Sequence, residues 1–217
     1  MCFSVQADLV AGAVVLPLAV ASLREVRHRR ELPFALLPTI FCLHQLIEAL
    51  VWAGTDGEVG SGLAHAAAVA YVVIALPLLP TYVPAAVILL EPRHRRRRVL
   101  PFLLLGIVVT VVLVVTLVGH GVTVHEHPHA LVYEIGLPHA VLVTALYVVA
   151  VIGASLLSGY RSIVAFGILN LVGLSVVAVL YSQAFASVWC VYAALTSVLV
   201  LVHLYRRRRL PDVERMA

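Results

Sequence analysis

Four of the ten histidines lie in one short stretch between two apolar segments. The stretch holds His120, His125, His127 and His129. Imidazole is the commonest protein ligand for zinc, copper and nickel. In an extended segment, residues two apart lie on the same side, so His125, His127 and His129 could converge on one ion. This spacing favours a metal-binding loop; the alternative is a solvated loop that is rich in histidine.

A second polar group lies inside an apolar segment. Glu48 is about 7 Å from the end of that segment at 1.5 Å per residue, and His44 is one turn deeper. Spacings of three and four residues place Gln45, Glu48 and Trp52 along one stripe. Ionisable residues at membrane depth are costly and mark a function or a pairing. Glu48 is therefore a candidate metal ligand, partner of a ligand or proton carrier; the alternative is a neutral glutamate bonded to Asn170 or to a tyrosine of another helix.

The N-terminal cysteine is a third candidate. If Met1 is removed, Cys2 offers a thiolate and an α-amine that together can chelate a soft metal. Thiolate and imidazole are ligands that copper and zinc prefer. Tyr181 and Gln183, at the end of a later apolar segment, are candidates for the polar surroundings of such a site. The alternative is that Cys2 is an ordinary tail residue.

Seven apolar stretches must position these residues. Hydrophobic residues make up 62% of the chain and charged residues 12%, with a mean hydropathy of +1.05. This composition excludes an ordinary soluble domain. Since a transmembrane helix needs about 20 apolar residues, we expect an all-α membrane bundle of about seven helices forming one domain over residues 1–217. The predicted spans are residues 7–23, 33–53, 63–90, 100–119, 138–157, 162–181 and 185–205.

The distribution of arginine predicts the orientation of these spans. All fifteen basic residues are arginine. The segments after the odd-numbered spans contain arginine at residues 24–30, 93–98, 161 and 206–209, whereas the other connections contain none. The positive-inside rule therefore places the N-terminus outside and the C-terminus in the cytoplasm. We expect these arginines to face lipid head groups and not nucleic acid, and we expect His203, beside them, to be neutral and solvated.

The opening residues Met1-Cys2-Phe3-Ser4 and the Gln45…Glu48…Trp52 pattern resemble a family of uncharacterised bacterial integral membrane proteins. Members of that family begin Met-Cys-Phe-Ser and carry Gln-x-x-Glu followed by Trp in the second helix. The resemblance implies a multi-pass protein of the bacterial plasma membrane. It also implies that Cys2, Gln45, Glu48 and Trp52 form a recurring set.

The sequence thus predicts a copper or zinc site on the outer side, with or without enzymatic activity. Its candidate ligands are Cys2, Glu48, His65, His120, His125, His127, His129 and His139. The alternative is a transporter of small solutes or ions that uses Glu48, His44 and the proline-containing third span. A third possibility is a scaffold without chemistry. The expected partners are the lipid bilayer, an undefined small-molecule substrate and a second copy of the chain through glycine-rich helix faces.

Overall fold

The computed structural model describes residues 4–127, 130–180 and 185–209. Their fold is a helical bundle with one small β-hairpin. The helices are α1 Val5–Arg24, α2 Leu32–Ala35, α3 Leu37–Thr55, α4 Ser61–Val73, α5 Leu79–Leu90, α6 Arg96–His120, α7 Ala140–Leu156, α8 Arg161–Leu180 and α9 Phe185–Arg208. A π-helical turn, Ile74–Leu78, joins α4 to α5, and the antiparallel strands are β1 Thr123–His127 and β2 Ala130–Glu134.

In the described residues, these elements form seven helical segments. Four segments are long and apolar enough to cross a membrane, namely Val5–Arg24, Leu32–Thr55, Ser61–Leu90 and Arg96–His120. Their outward faces carry exposed aliphatic side chains; Val118 is 82% exposed. Such surfaces suit hydrocarbon, because lipid tails are as apolar as these side chains. The membrane character expected from composition therefore agrees with the lengths of these helices.

The third segment is continuous, although three prolines interrupt its backbone hydrogen bonding. The π turn contains Pro77, and two of its carbonyls accept hydrogen bonds from side chains of neighbouring helices. The Thr110 hydroxyl of α6 donates to the Pro77 carbonyl at 2.7 Å, and the Tyr147 hydroxyl of α7 donates to the Ala75 carbonyl at 2.8 Å. Broken helices are tolerated in lipid when neighbours satisfy the backbone in this way.

α6 approaches this segment closely at a glycine. Gly106 lies against the backbone of Pro80, where a Cβ atom would overlap the Pro80 carbonyl. The absence of a side chain therefore lets the two helices touch along their backbones.

One end of the bundle, here called the arginine end, gathers connections 25–31, 91–95 and 157–160 with the last turn of α9. Buried Arg207 lies 3.7 Å from the buried Glu31 carboxylate, and Arg208 donates to Glu25 at 2.9 Å. The expectation that His203 is solvated is wrong: it is 2% exposed. Its ring packs edge-on against Phe34, and its Nδ1 lies 2.6 Å from the hydroxyl of Ser162. This imidazole can be buried because aromatic side chains surround it and one hydroxyl group hydrogen-bonds to it.

The opposite end, here called the hairpin end, carries β1 and β2 where the sequence indicated only a loop. Strand side chains alternate between two faces. Tyr133 and Val124 oppose each other on one face, which packs on the helices, while His125 and Val132 oppose each other on the other face. His125 contacts Glu134 diagonally at 3.4 Å.

The apolar core consists of two clusters. The cluster nearer the arginine end includes Phe34, Phe41 and Phe166, and that nearer the hairpin end includes Trp52 and Leu113. The polar residues of the second and first helical segments lie close to the boundary between these clusters.

Candidate functional site

Two carboxylic acids from different helices are buried together. Asp8, in the first turn of α1, is 0% exposed, and Glu48 of α3 is 1% exposed. α1 packs along α3, where the thiol of Cys42 donates to the Gly12 carbonyl at 3.4 Å. This close packing brings the two carboxyl groups near enough for their charges to interact. Two negative charges at such a place are costly unless a proton or a cation accompanies them.

Glu48 has unused hydrogen-bonding capacity. The Tyr71 hydroxyl of α4 lies near its carboxyl group. Neither Glu48 oxygen, however, has a hydrogen-bond partner of good geometry within the described part of the chain. Buried polar atoms are normally bonded, so an exception calls for an explanation such as a function or a bound ion.

Aromatic rings extend this site towards the hairpin. Tyr71 is stacked between the ring of His44 at 3.9 Å and the ring of Tyr133 at 4.4 Å. Burial, and then the nearby carboxyl groups of Glu48 and Asp8, raise the pKa of Tyr133, which therefore stays protonated well above neutral pH. We name Asp8, His44, Glu48, Tyr71 and Tyr133 the polar cluster.

His44 joins the polar cluster to a cavity. Its side chain is 3% exposed, and neither ring nitrogen has a hydrogen-bond partner of good geometry in the described residues, although the Tyr71 backbone lies near the ring. The cavity has a volume of about 240 Å³ and lies between the two apolar clusters. His44 and Tyr71 line it together with Tyr147 and with the π turn at Ala75. π turns inside helices frequently mark functional sites.

The predicted histidine ligands whose side chains the structure describes, His65, His120, His125 and His139, do not join this cluster. His65 is exposed in the first turns of α4, and His139 is exposed at the start of α7. His120 ends α6, and its Nδ1 lies 3.2 Å from the Thr116 carbonyl. His125 is on the hairpin face opposite Tyr133. His127 is two residues further along the same strand, so its backbone position belongs to the same face as that of His125.

Of the remaining predicted residues, Gln45 and Trp52 are buried on α3, as the stripe of spacings three and four predicts. Cys2, His129, Tyr181 and Gln183 lie outside the described residues, as does the side chain of His127. Within residues 4–127, 130–180 and 185–209, no three His, Cys, Asp or Glu side chains are placed to hold one metal ion. The copper or zinc site therefore stays a prediction.

Three members of the polar cluster were missed by sequence reasoning. Asp8 carries a usable signal, because a lone carboxylate inside an apolar helix marks a function or a pairing, as Glu48 does. Tyr71 has only a weak signal, since tyrosine is common in apolar helices. Tyr133 has no such signal, because its position depends on a hairpin that the sequence does not predict.

The fold and the site together define a class: a helical protein with membrane-length apolar helices and a buried acidic cluster beside a cavity. The chain belongs to a family of unknown function, DUF6629, whose match covers residues 1–216. No curated protein and no solved structure matches the chain. The expected membership of an uncharacterised family is thereby confirmed.

Proposed function

We propose that this protein is a proton-coupled carrier of a small solute in a bacterial plasma membrane. The observation that carries the proposal is the burial of Asp8 and Glu48 together inside apolar helices, with both Glu48 oxygens lacking a described hydrogen-bond partner. Intramembrane carboxyl groups of this kind mark ion pathways and proton relays. Tyr71, His44 and Tyr133 supply neighbouring groups that can donate or accept a proton.

The π turn supports a carrier over a static scaffold. Solute sites in many transporters lie where a helix is irregular and borders a cavity. Here Ala75 of the π turn and His44 border the same cavity. Proton binding at Glu48 would reach that cavity through Tyr71, which touches both.

Proton flux tests the proposal directly. Purified protein is reconstituted into liposomes that contain a pH-sensitive dye, and a potassium gradient with valinomycin drives protons inward. We expect proton flux above that of empty liposomes. Glu48→Gln should reduce this flux at least about tenfold, because the variant lacks the carboxyl group that carries the proton. Glu58→Gln, the same change at an exposed glutamate, should leave it unchanged. Equal flux in both variants would refute the role of Glu48.

The topology is proposed with it: seven spans, the hairpin end and the N-terminus outside, and the arginine end and the C-terminus in the cytoplasm. The support is that the arginine-bearing connections gather at one end of the bundle. In a variant without native cysteines, a membrane-impermeant maleimide should label His65→Cys in intact cells. Arg29→Cys should be labelled only after lysis; the reverse pattern would invert the topology.

A copper or zinc site remains a second proposal, favoured by one observation. In the hairpin, His125 of strand β1 lies 3.4 Å from Glu134 of strand β2, so a histidine and a carboxylate stand together there. Metal analysis of the untagged protein tests it, with Cys2→Ala, Glu48→Ala and His125→Ala as variants. If stoichiometric metal is lost in His125→Ala, the metal site lies on the hairpin. If the metal is lost in Cys2→Ala and in Glu48→Ala, the metal site lies at the N-terminus. Metal-free folded protein would refute it.

A further inference from the structure

The cavity beside His44 has a size and a lining that restrict what can occupy it. Its volume is about 240 Å³, and its walls are mainly aliphatic and aromatic. An apolar cavity of about 150 Å³ holds a benzene molecule. By that scale, this cavity accommodates about two fused rings. Phe41 and Phe166 are among the aromatic residues that line it, and their rings favour an aromatic occupant through offset or edge-on contacts.

The wall contains several polar side chains, namely His44, Tyr71, Thr144, Tyr147, Asn170 and Tyr192. The Asn170 amide already donates to the Phe166 carbonyl at 2.7 Å, and the Tyr147 hydroxyl donates to Ala75. His44 is 3% exposed, and neither ring nitrogen has a hydrogen-bond partner of good geometry in the described residues, although the Tyr71 backbone lies near the ring. A neutral imidazole has one donor and one acceptor, so it can pair with a hydroxyl group in either direction.

We propose that this cavity is the solute site of the carrier, and that it binds a neutral aromatic molecule of about two fused rings whose one hydroxyl group hydrogen-bonds to His44. The apolar body replaces water against the walls, and the hydroxyl group gives a buried polar side chain the partner that it lacks. The transport of this molecule across the bilayer rests on the proposed function. Its binding does not depend on Glu48, because Glu48 is not part of the cavity wall.

Equilibrium dialysis of 1-naphthol and naphthalene against the protein in lipid nanodiscs tests the site. Empty nanodiscs give the lipid partitioning, which is subtracted. We expect saturable binding of one molecule per chain, with a dissociation constant about fivefold lower for 1-naphthol, the effect of one net hydrogen bond. His44→Phe should bind both compounds alike, because it keeps a ring and loses both nitrogens. His65→Phe, the same change at an exposed histidine, should keep the preference.

Three outcomes overturn the proposal. The first is no saturable binding of either compound above empty nanodiscs, as expected if lipid tails occupy the cavity. The second is a preference for 1-naphthol that persists in His44→Phe. The third is unchanged binding in Val148→Trp, a variant that fills the cavity from α7.

The test also separates this proposal from the proposed function. Glu48→Gln should lose proton flux and retain 1-naphthol binding. Intact binding without any proton flux in the wild type, measured with 1-naphthol present, would refute the carrier and leave the cavity site standing. Proton flux without 1-naphthol binding would refute the cavity site alone.

Discussion

Glu48 is both the best candidate for chemistry and a source of instability. It is buried among apolar side chains, it faces the charge of Asp8, and its oxygens have no described hydrogen-bond partner of good geometry. Each of these features disfavours the ionised side chain energetically. Residues that carry function often lower the stability of the fold in this way.

Glu48→Gln should therefore leave the thermal stability unchanged or raise it by about 1 kcal/mol, while proton transport is lost. The amide has nearly the same shape and needs no charge inside the bundle. Thermal unfolding in one detergent checks this, with Glu58→Gln as the control at an exposed site. A fall of several degrees in the Glu48 variant alone would show that its carboxyl group forms a bond that holds the fold.

At this scale the sequence predicts some residues and not others. The burial of Gln45, Glu48 and Trp52 follows from helical spacing alone. The pairing of Glu48 with Asp8 does not, because it depends on how α1 lies against α3, which no local pattern encodes. His65, His120, His125 and His139 lie at the hairpin end of the bundle, yet the two faces of the hairpin separate His125 from Tyr133 and so from the polar cluster.

Among the elements, the π turn depends most on its neighbours. Side chains of α6 and α7 donate hydrogen bonds to two of its backbone carbonyls. The sequence shows the three prolines and so predicts an irregular third span. It does not distinguish a π turn from a full break, because the outcome depends on Thr110 and Tyr147, which are 33 and 72 residues away from their acceptors.

Thr110→Val should cost about 1–2 kcal/mol of unfolding free energy, because it leaves the Pro77 carbonyl buried without its donor. Thr116→Val is the matched control on the same helix. Its hydroxyl bonds only to the Val112 carbonyl one turn away, which already accepts a helical bond, so we expect less than about 0.5 kcal/mol. Chemical unfolding of both variants gives the comparison. Equal costs would show that the π turn does not need Thr110.

For the whole molecule, the alternation of arginine and apolar stretches suffices to predict seven helical segments and their order. This alternation does not predict which contacts hold the connections of the arginine end together. There Arg207, from the last helix, reaches Glu31 near the start of the second segment, with the Tyr160 ring 4.8 Å below its guanidinium group. That contact joins residues far apart in the chain and is not visible in any local pattern.

Glu31→Gln should destabilise the protein by about 3 kcal/mol, since it removes the carboxylate from a buried ion pair with Arg207. Glu25→Gln affects the exposed pair with Arg208 and should cost less than about 1 kcal/mol. Thermal unfolding of the two variants at equal ionic strength measures the difference. Similar small costs would mean that water reaches Arg207.

The two faces of the hairpin constrain how its strands can change in length. One residue inserted after Leu131 would turn Tyr133 away from Tyr71 and bring a neighbouring side chain into its place. Two inserted residues would restore the alternation. Within this family, gaps in either strand should therefore come in even numbers wherever the tyrosine is retained, and odd gaps should coincide with its loss.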